Sequence, residues 1–218
     1  MSITANGYDV LAMRLTLPVQ GIWVATLRVS ADEDLSGALT LENDAVKYSG
    51  FVLRGTSVSG AALVDAVGGT GGLGNVIDAR SYQGASARDI LVDLLAAAGE
   101  KLDGTSTRQV LSTALPFWTR TAERASLALS SLSDALGARW RVRPSGVVWM
   151  GTETWPEMAP DYEAIELDRD SAASTVLLAP ETIALTPGVT LRGERVGRVE
   201  HVMGEEELRT TFWLETAA

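Results

Sequence analysis

The sequence predicts an α+β fold, mainly β, in which barrel-like strands at both ends of the chain flank a compact module of two helices and a hairpin. Three observations carry this. Short β-rich runs separated by turns fill the first third of the chain. A helical apolar period replaces them between residues 86 and 136. Strand-like runs then resume after residue 160. The 218 residues suffice for one large or two small domains, and 46% apolar residues support a packed core.

The strands come in order. Leu11 to Leu17 alternates loosely before Pro18 and Gly21 interrupt it. Ile22 to Val29 is rich in β-formers, and Asp32-Glu33-Asp34 makes a polar turn. Ala38 to Leu41 is a short strand closed by Asn43-Asp44. Val46 to Gly55 and Thr56 to Val67 read as two more strands, with the boundary at the glycine. Strands joined by such short turns suggest part of a barrel or a sandwich. The glycine loop Gly68 to Asn75 closes the block and marks a candidate boundary.

The middle of the chain changes period. Ser86 is placed as an N-cap with Asp89 reaching back to it. Ile90, Leu91, Leu94, Leu95 and Ala98 form one apolar face, and Gly99 stands where a helix ends. A linker runs to Pro116. A second helix spans about Ala122 to Leu136, with Ala125, Ala128, Leu129, Leu132 and Leu136 on its face and Gly137 after it. Arg139 to Arg143, the turn Pro144-Ser145-Gly146 and Val147 to Met150 make a hairpin. Alternation puts Trp140 and Val142 on one side and Arg139, Arg141 and Arg143 on the other.

The last third returns to strands at Glu163 to Asp168, Thr175 to Leu178, Val189 to Gly193, Arg195 to Met203 and Leu208 to Glu215. Pro187-Gly188 is a turn, and Gly204 to Glu207 reads as the turn between the last two strands. The expected organisation is therefore residues 1–75 as an N-terminal barrel part, 76–155 as the inserted α/β module, and 156–218 as an acidic C-terminal barrel part.

Charge narrows the function. The net charge is -10, distributed as -3 over residues 1–70, +2 over 71–150 and -9 over 151–218. Nonspecific nucleic-acid binding needs cations that displace phosphate counterions, so this balance argues against it. The chain has no cysteine, which rules out disulfides and thiolate metal sites. Residues 1–9 have neither the basic nor the apolar region of a signal peptide, and no run of about 18 apolar residues exists, so a soluble product made without signal-directed export is expected.

No motif carries catalysis, a cofactor or a metal. Gly69 to Gly74 formally matches G-x-G-x-x-G, but no helical period and no lysine follow it, so it reads as a flexible connection. His201 is the sole histidine and lies inside a strand. Without a nucleophile elbow it reads as a structural partner of a carboxylate or backbone group. Glu153, Glu157, Asp161 and Glu163 lie near Trp149 and Trp155, an arrangement that could serve a sugar. The plainer reading is a solvated, proline-broken linker with aromatic anchors in the core. The three arginines of the hairpin read as a salt-bridged surface, against an acidic neighbour chain or with the acidic last third as the complement.

Two stretches carry a resemblance. One is Ser81-Tyr82-Gln83-Gly84-Ala85-Ser86-Ala87-Arg88-Asp89-Ile90-Leu91, continuing through Trp118 and the second helix to Leu136-Gly137-Ala138-Arg139-Trp140-Arg141-Val142 and Ser145 to Trp149. The other is Leu185-Thr186-Pro187-Gly188-Val189, then Val196 to His201 and Leu208-Arg209-Thr210. In this order they resemble the hub proteins of phage baseplates and related contractile injection systems, including Mu-type and T4-type hubs and the N-terminal part of VgrG spikes.

The resemblance implies tube-forming β-barrel domains and a homotrimer in which two barrel domains per subunit give a pseudo-sixfold ring. It implies no catalysis. Its partners would be the tail tube or tube-initiator protein, the spike, baseplate wedge proteins and a tape-measure contact. DNA would pass the lumen without specific binding, with Glu205, Glu206 and Glu207 as candidate lumen charges, and no membrane contact is implied. The place would be the virion tail baseplate, assembled in the host bacterial cytoplasm. The alternatives are a tail-associated cell-wall hydrolase, testable at Glu157, and a carbohydrate- or receptor-binding module, testable at Trp149 or Trp155.

Overall fold

A computed structural model describes residues 2–158, 162–168, 173–178, 183–191, 193–204 and 208–215, with the backbone alone described for 162–168 and 173–178. The first six strands are β1 (Thr4–Ala5), β2 (Tyr8–Pro18), β3 (Val24–Val29), β4 (Gly37–Glu42), β5 (Lys47–Val58) and β6 (Ala61–Gly68). They pair antiparallel in the order β1-β4-β5-β6-β3-β2, and β1 also pairs with β2, so the sheet closes into a six-stranded barrel. Closure removes the edges that an open sheet leaves. In β3 the buried side chains Ala25, Leu27 and Val29 alternate with exposed Val24, Thr26 and Arg28, the period-2 pattern of a strand with one wet face.

The turn between β5 and β6 lies four residues beyond the expected boundary. Gly55 and Thr56 are inside β5, and the chain reverses at Ser59-Gly60, with φ of 52° and 80°. A tight two-residue hairpin of type I′ needs positive φ at both central positions, which Ser59-Gly60 adopts. Gly55 serves close packing instead: a Cβ there would run into the Leu35 carbonyl.

The middle module contains a 3-10 turn (Gly72–Gly74), β7 (Val76–Ile77), β8 (Arg80–Ser86), α1 (Ala87–Ala98), α2 (Arg108–Leu111), β9 (Ala114–Arg120), β10 (Glu123–Arg124), α3 (Ala125–Ala135), β11 (Arg139–Val142) and β12 (Val148–Gly151). Local chemistry sets α1. Ser86 Oγ accepts the Asp89 N–H at 3.2 Å, while its hydroxyl donates to the Asp89 carboxylate at 2.6 Å. At the other end Gly99 has φ 72°, its N–H reaches the Ala96 carbonyl, and the Glu100 N–H reaches that of Leu95. This is a Schellman ending. Helix α3 starts later than its apolar period suggests, because Glu123 and Arg124 pair with Ile77 and Val76 instead.

The segment expected to be a linker holds α2 and β9. β9 pairs antiparallel with β8 from Arg80↔Arg120 to Ser86↔Ala114, a two-stranded ribbon of its own. The β11–β12 hairpin docks on the barrel rim. The Gly21 N–H donates to the Trp140 carbonyl, the Val142 N–H to that of Gly21, and the Ser49 N–H to that of Pro144. Trp23 is the plug beneath this contact. It is 1% exposed, meets Tyr48 edge-on at 5.7 Å, and leaves no room for a Cβ at Gly50 or Gly68.

The C-terminal strands are β13 (Tyr162–Asp168), β14 (Ala173–Leu178), β15 (Thr190–Leu191), β16 (Glu194–Met203) and β17 (Leu208–Leu214). β16 pairs with β2 over Met13–Pro18, whereas β1 pairs with β2 at Tyr8 and Asp9. β2 is thus shared between the barrel and a second sheet that continues β16-β17-β14-β13. The stretch expected as a strand over Val189 to Gly193 pairs only at Thr190–Leu191 among the described residues. The expected turn at Glu205 to Glu207 lies outside the described residues. One apolar cluster, from Ile3 to Phe212, runs through barrel, module and C-terminal strands.

Candidate functional site

The glycine loop is an anion nest already filled by the chain itself. Thr70 N–H donates to both Glu100 carboxylate oxygens, at 3.0 and 3.1 Å, and Gly72 N–H donates to one of them at 3.1 Å. Thr70 Oγ1 donates to the Gly99 carbonyl at 3.2 Å. Successive N–H groups in such a loop form an anion-binding concavity. Here that anion is Glu100, 6% exposed, delivered by the chain reversal at Gly99. The loop is therefore pinned, which corrects the expectation of a flexible connection. Gly72 lies so close to the Ala98 carbonyl that no side chain fits.

The arginine row of the hairpin is largely interior. Arg141 is 6% exposed and pairs with Glu153, whose side chain is equally buried, and Arg141 also donates to the Val19 carbonyl at 3.3 Å. Arg139 pairs with Glu215. Both acids come from the last third of the chain, as charge complementarity predicts. The surface part of that expectation fails at Arg141, because the barrel rim and the Pro187-Gly188 turn cover it. Gly188, at φ 88°, sits directly against the Arg141–Glu153 pair.

The tryptophans near this junction are engaged by guanidinium groups. Arg141 and Arg143 lie over the Trp149 ring at 4.6 and 5.0 Å, and Trp149 is 4% exposed. Arg139 and Arg195 lie over half-buried Trp155 at 5.6 and 5.3 Å. A buried ring cannot stack on a sugar, so Trp149 offers no platform, and Glu153 is an ion-pair member rather than a solvated linker acid. Glu157 is exposed and bridges to Thr190 through the backbone. Asp161 and the side chain of Glu163 lie outside the described residues. Among the described residues, no group of three or more His, Asp or Glu could hold a metal, and no helix is long and apolar enough to cross a membrane.

A second polar centre, not anticipated from the sequence, joins the ribbon to α1. Asp93 takes Arg80, the Tyr82 hydroxyl and, at 3.4 Å, Arg120. Burial, then the bond to Asp93, pushes the Tyr82 phenol up to about 12. Arg120 is buried and also donates to the Asp78 carbonyl at 2.9 Å. No local motif announces this set, since its members are contributed by β8, α1 and β9.

His201 is fully buried in β16 between β2 and β17. Nε2 lies 3.0 Å from the Leu185 carbonyl and Nδ1 lies 2.7 Å from Thr210 Oγ1. A carbonyl only accepts, so Nε2 carries the proton and Nδ1 accepts from Thr210. The backbone partner is the structural role expected for it. Two residues upstream of Leu185, the Ile183 carbonyl accepts from Tyr48 Oη at 2.7 Å. The segment Ile183–Leu185 is thereby fixed between the barrel and the second sheet.

What remains outward-facing is apolar at several points. Phe117 on the ribbon is 68% exposed, and Leu53 and Leu63 on the barrel wall are 61% and 54% exposed.

No family model and no characterised protein matches the chain by sequence. Its fold, however, is that of tail proteins of known structure. The 43 kDa tail protein of prophage MuSo2 from Shewanella oneidensis superposes with a TM-score of 0.74 at 9% identity, over 98% of this chain and 97% of that one. The tail protein from Neisseria meningitidis MC58 gives 0.70 at 12% identity, over 98% and 95%. The E. coli c3393 protein is a component of the type VI secretion system with structural similarity to the T4 bacteriophage tail proteins gp27 and gp5. It gives 0.69 at 10% identity, over 100% of this chain and 77% of its own.

Proposed function

We propose that the chain is a structural, non-enzymatic subunit of a phage-type tail, located in the baseplate hub, where a ring of subunits joins the tail tube to the central spike. The observation that carries this reading is the end-to-end superposition on the MuSo2 tail protein, which leaves almost no part of either chain unmatched. The geometry supports an assembly role. The charged groups that could have served chemistry are neutralised internally, at Glu100, Arg141–Glu153 and Asp93. A closed barrel continuous with a second sheet that ends at β13 among the described residues offers one capped side and one extendable side, which suits lateral contact between subunits.

In this reading residues 1–75 and 156–218 supply the tube-forming parts and residues 76–155 the inserted module. The assembly is a homotrimer that contacts tube, spike, wedge and tape-measure proteins. DNA crosses an acidic lumen without specific binding, and assembly takes place in the host cytoplasm. Light-scattering mass combined with electron microscopy of the purified protein tests it. Trimers or rings are expected, alone or with the tube protein. A strict monomer under both conditions would overturn it.

A further inference from the structure

The barrel is closed by its shortest strand. Among the described residues β1 alone joins β4 to β2, through Thr4↔Glu42 and Ala5↔Leu41 on one side and Thr4↔Asp9 and Ala5↔Tyr8 on the other. Between β1 and β2 the chain reverses at Asn6-Gly7, with φ of 51° and 87°. Both values are positive, as a two-residue type I′ turn requires.

The Asn6 side chain is folded back onto β4. Thr40 N–H donates to Asn6 Oδ1 at 2.7 Å, and Asn6 Nδ2 donates to the Ala38 carbonyl at 3.0 Å. The Asn6 N–H donates to the Thr40 carbonyl at 2.8 Å. Both polar ends of the side-chain amide are thus held by the β4 backbone, although the residue is exposed to solvent. Asparagine before glycine is also the pair in which a backbone nitrogen attacks the preceding side-chain amide most readily, because glycine has no side chain to shield that nitrogen. The other asparagines precede larger residues, Asn43 before Asp44 and Asn75 before Val76.

We propose that Asn6 is a self-modification site, a gated deamidation at the closure point of the barrel, which opening of the β1–β4 contact unmasks. While the contact holds, the two amide bonds fix the side chain against β4, so Cγ cannot rotate to meet the Gly7 nitrogen. When β4 lets go, Gly7 N–H gives its proton to solvent base and the nitrogen bonds to Asn6 Cγ. The Cγ–Nδ2 bond breaks, and Nδ2 takes a proton from water and leaves as ammonia. Water then opens the succinimide ring and leaves aspartate or isoaspartate at position 6. Either product lacks the amide donor to the Ala38 carbonyl, and isoaspartate also lengthens the backbone of a turn whose register is fixed at Ala5↔Tyr8. A transient opening of the barrel is thereby made lasting. The proposal goes beyond the ring-subunit reading and does not rest on it, because it concerns the single chain.

The test incubates the full chain beside a synthetic peptide of residues 3–10 at mildly alkaline pH and follows amide-to-acid conversion by peptide mapping and mass spectrometry. Asn6 should convert about tenfold or more slowly in the folded chain than in the peptide, because two hydrogen bonds must first break. Leu41 is buried and lies opposite Ala5, so Leu41→Ala loosens the contact. That variant should raise Asn6 conversion and Thr40 amide exchange together. Urea below the unfolding midpoint should do the same to the wild type, which keeps the test in force if Leu41→Ala does not fold. The converted chain, separated by its added negative charge, should exchange the Thr40 amide faster than the unconverted chain. A folded chain that converts Asn6 as fast as the peptide, Thr40 exchange that rises without conversion, or Asn43 or Asn75 converting ahead of Asn6 once the chain is loosened would each overturn the proposal.

Discussion

His201 donates from Nε2 to the carbonyl oxygen of Leu185 at 3.0 Å, which locks the imidazole into one neutral tautomer inside the sheet. Burial, partly countered by that bond, pulls its pKa from 6.5 down to about 4. The unfolded chain therefore binds a proton below pH 6.5 that the folded chain refuses until about pH 4. Stability is complete above the unfolded value and falls as pH drops through this window. The loss between pH 6.5 and 5 is on the order of 2 kcal/mol. Urea midpoints should decline across that range in the wild type and hold nearly level in His201→Gln. Parallel slopes in the two proteins would assign the acid sensitivity to other groups.

Glu100 fixes the glycine loop through three bonds to the Thr70 and Gly72 amides. Hydrogen bonds to a charged group contribute about 1.5–3 kcal/mol, and Glu100→Ala would also leave buried donors empty. We expect a loss of about 2–3 kcal/mol, with amide exchange at Thr70 and Gly72 rising in step. A neutral substitution with unchanged exchange would mean that the loop does not depend on this carboxylate.

The Arg141–Glu153 pair closes the end of the hairpin, and the Pro187-Gly188 turn packs over it. Glu153→Ala leaves a buried guanidinium uncompensated, and such changes cost about 3–5 kcal/mol. Replacing both partners, as Arg141→Met with Glu153→Leu, should recover most of that loss, because the isolated charge is what is expensive. Gly188→Ala should destabilise through the same site, since a Cβ there meets both side chains. Chemical unfolding of the three variants checks the order, and a double variant as weak as Glu153→Ala would contradict it.

The elements legible in the sequence are those whose causes are local. Helix α1 is written in Ser86, Asp89, five apolar positions and Gly99, all within one short stretch. The β8–β9 ribbon is not legible in that way. Most of its side chains face water on both sides, so no alternation marks it, and Pro116 reads as a break. Its two strands are separated by α1, a connection and α2, which carry no signal for the pairing. The arginine row was visible, and so was the sign of its complement. That Arg141 is buried was not, because the covering Gly21 and Gly188 lie far away in sequence. The glycine loop gave the right exclusion for an incomplete reason. The missing lysine and helix rule out a phosphate loop, while the acid directly after the helix-ending glycine was the available clue to what fills the nest.

The ribbon also furnishes a test of the assembly reading. Phe117 is 68% exposed on β9, opposite Gln83 of β8, and makes no contribution to the buried core cluster. A large ring held in water has no folding benefit, whereas the same ring in an interface contributes as an anchor. Phe117→Ser should therefore leave the unfolding midpoint of the isolated chain within about 0.5 kcal/mol of wild type. In sedimentation or light scattering with the tube protein, it should lower the fraction found in rings or trimers. The two readouts separate the explanations. Loss of stability would mean that Phe117 serves the fold, and unchanged assembly would remove the ribbon from the contact surface while leaving the barrel wall at Leu53 and Leu63 as the place to look next.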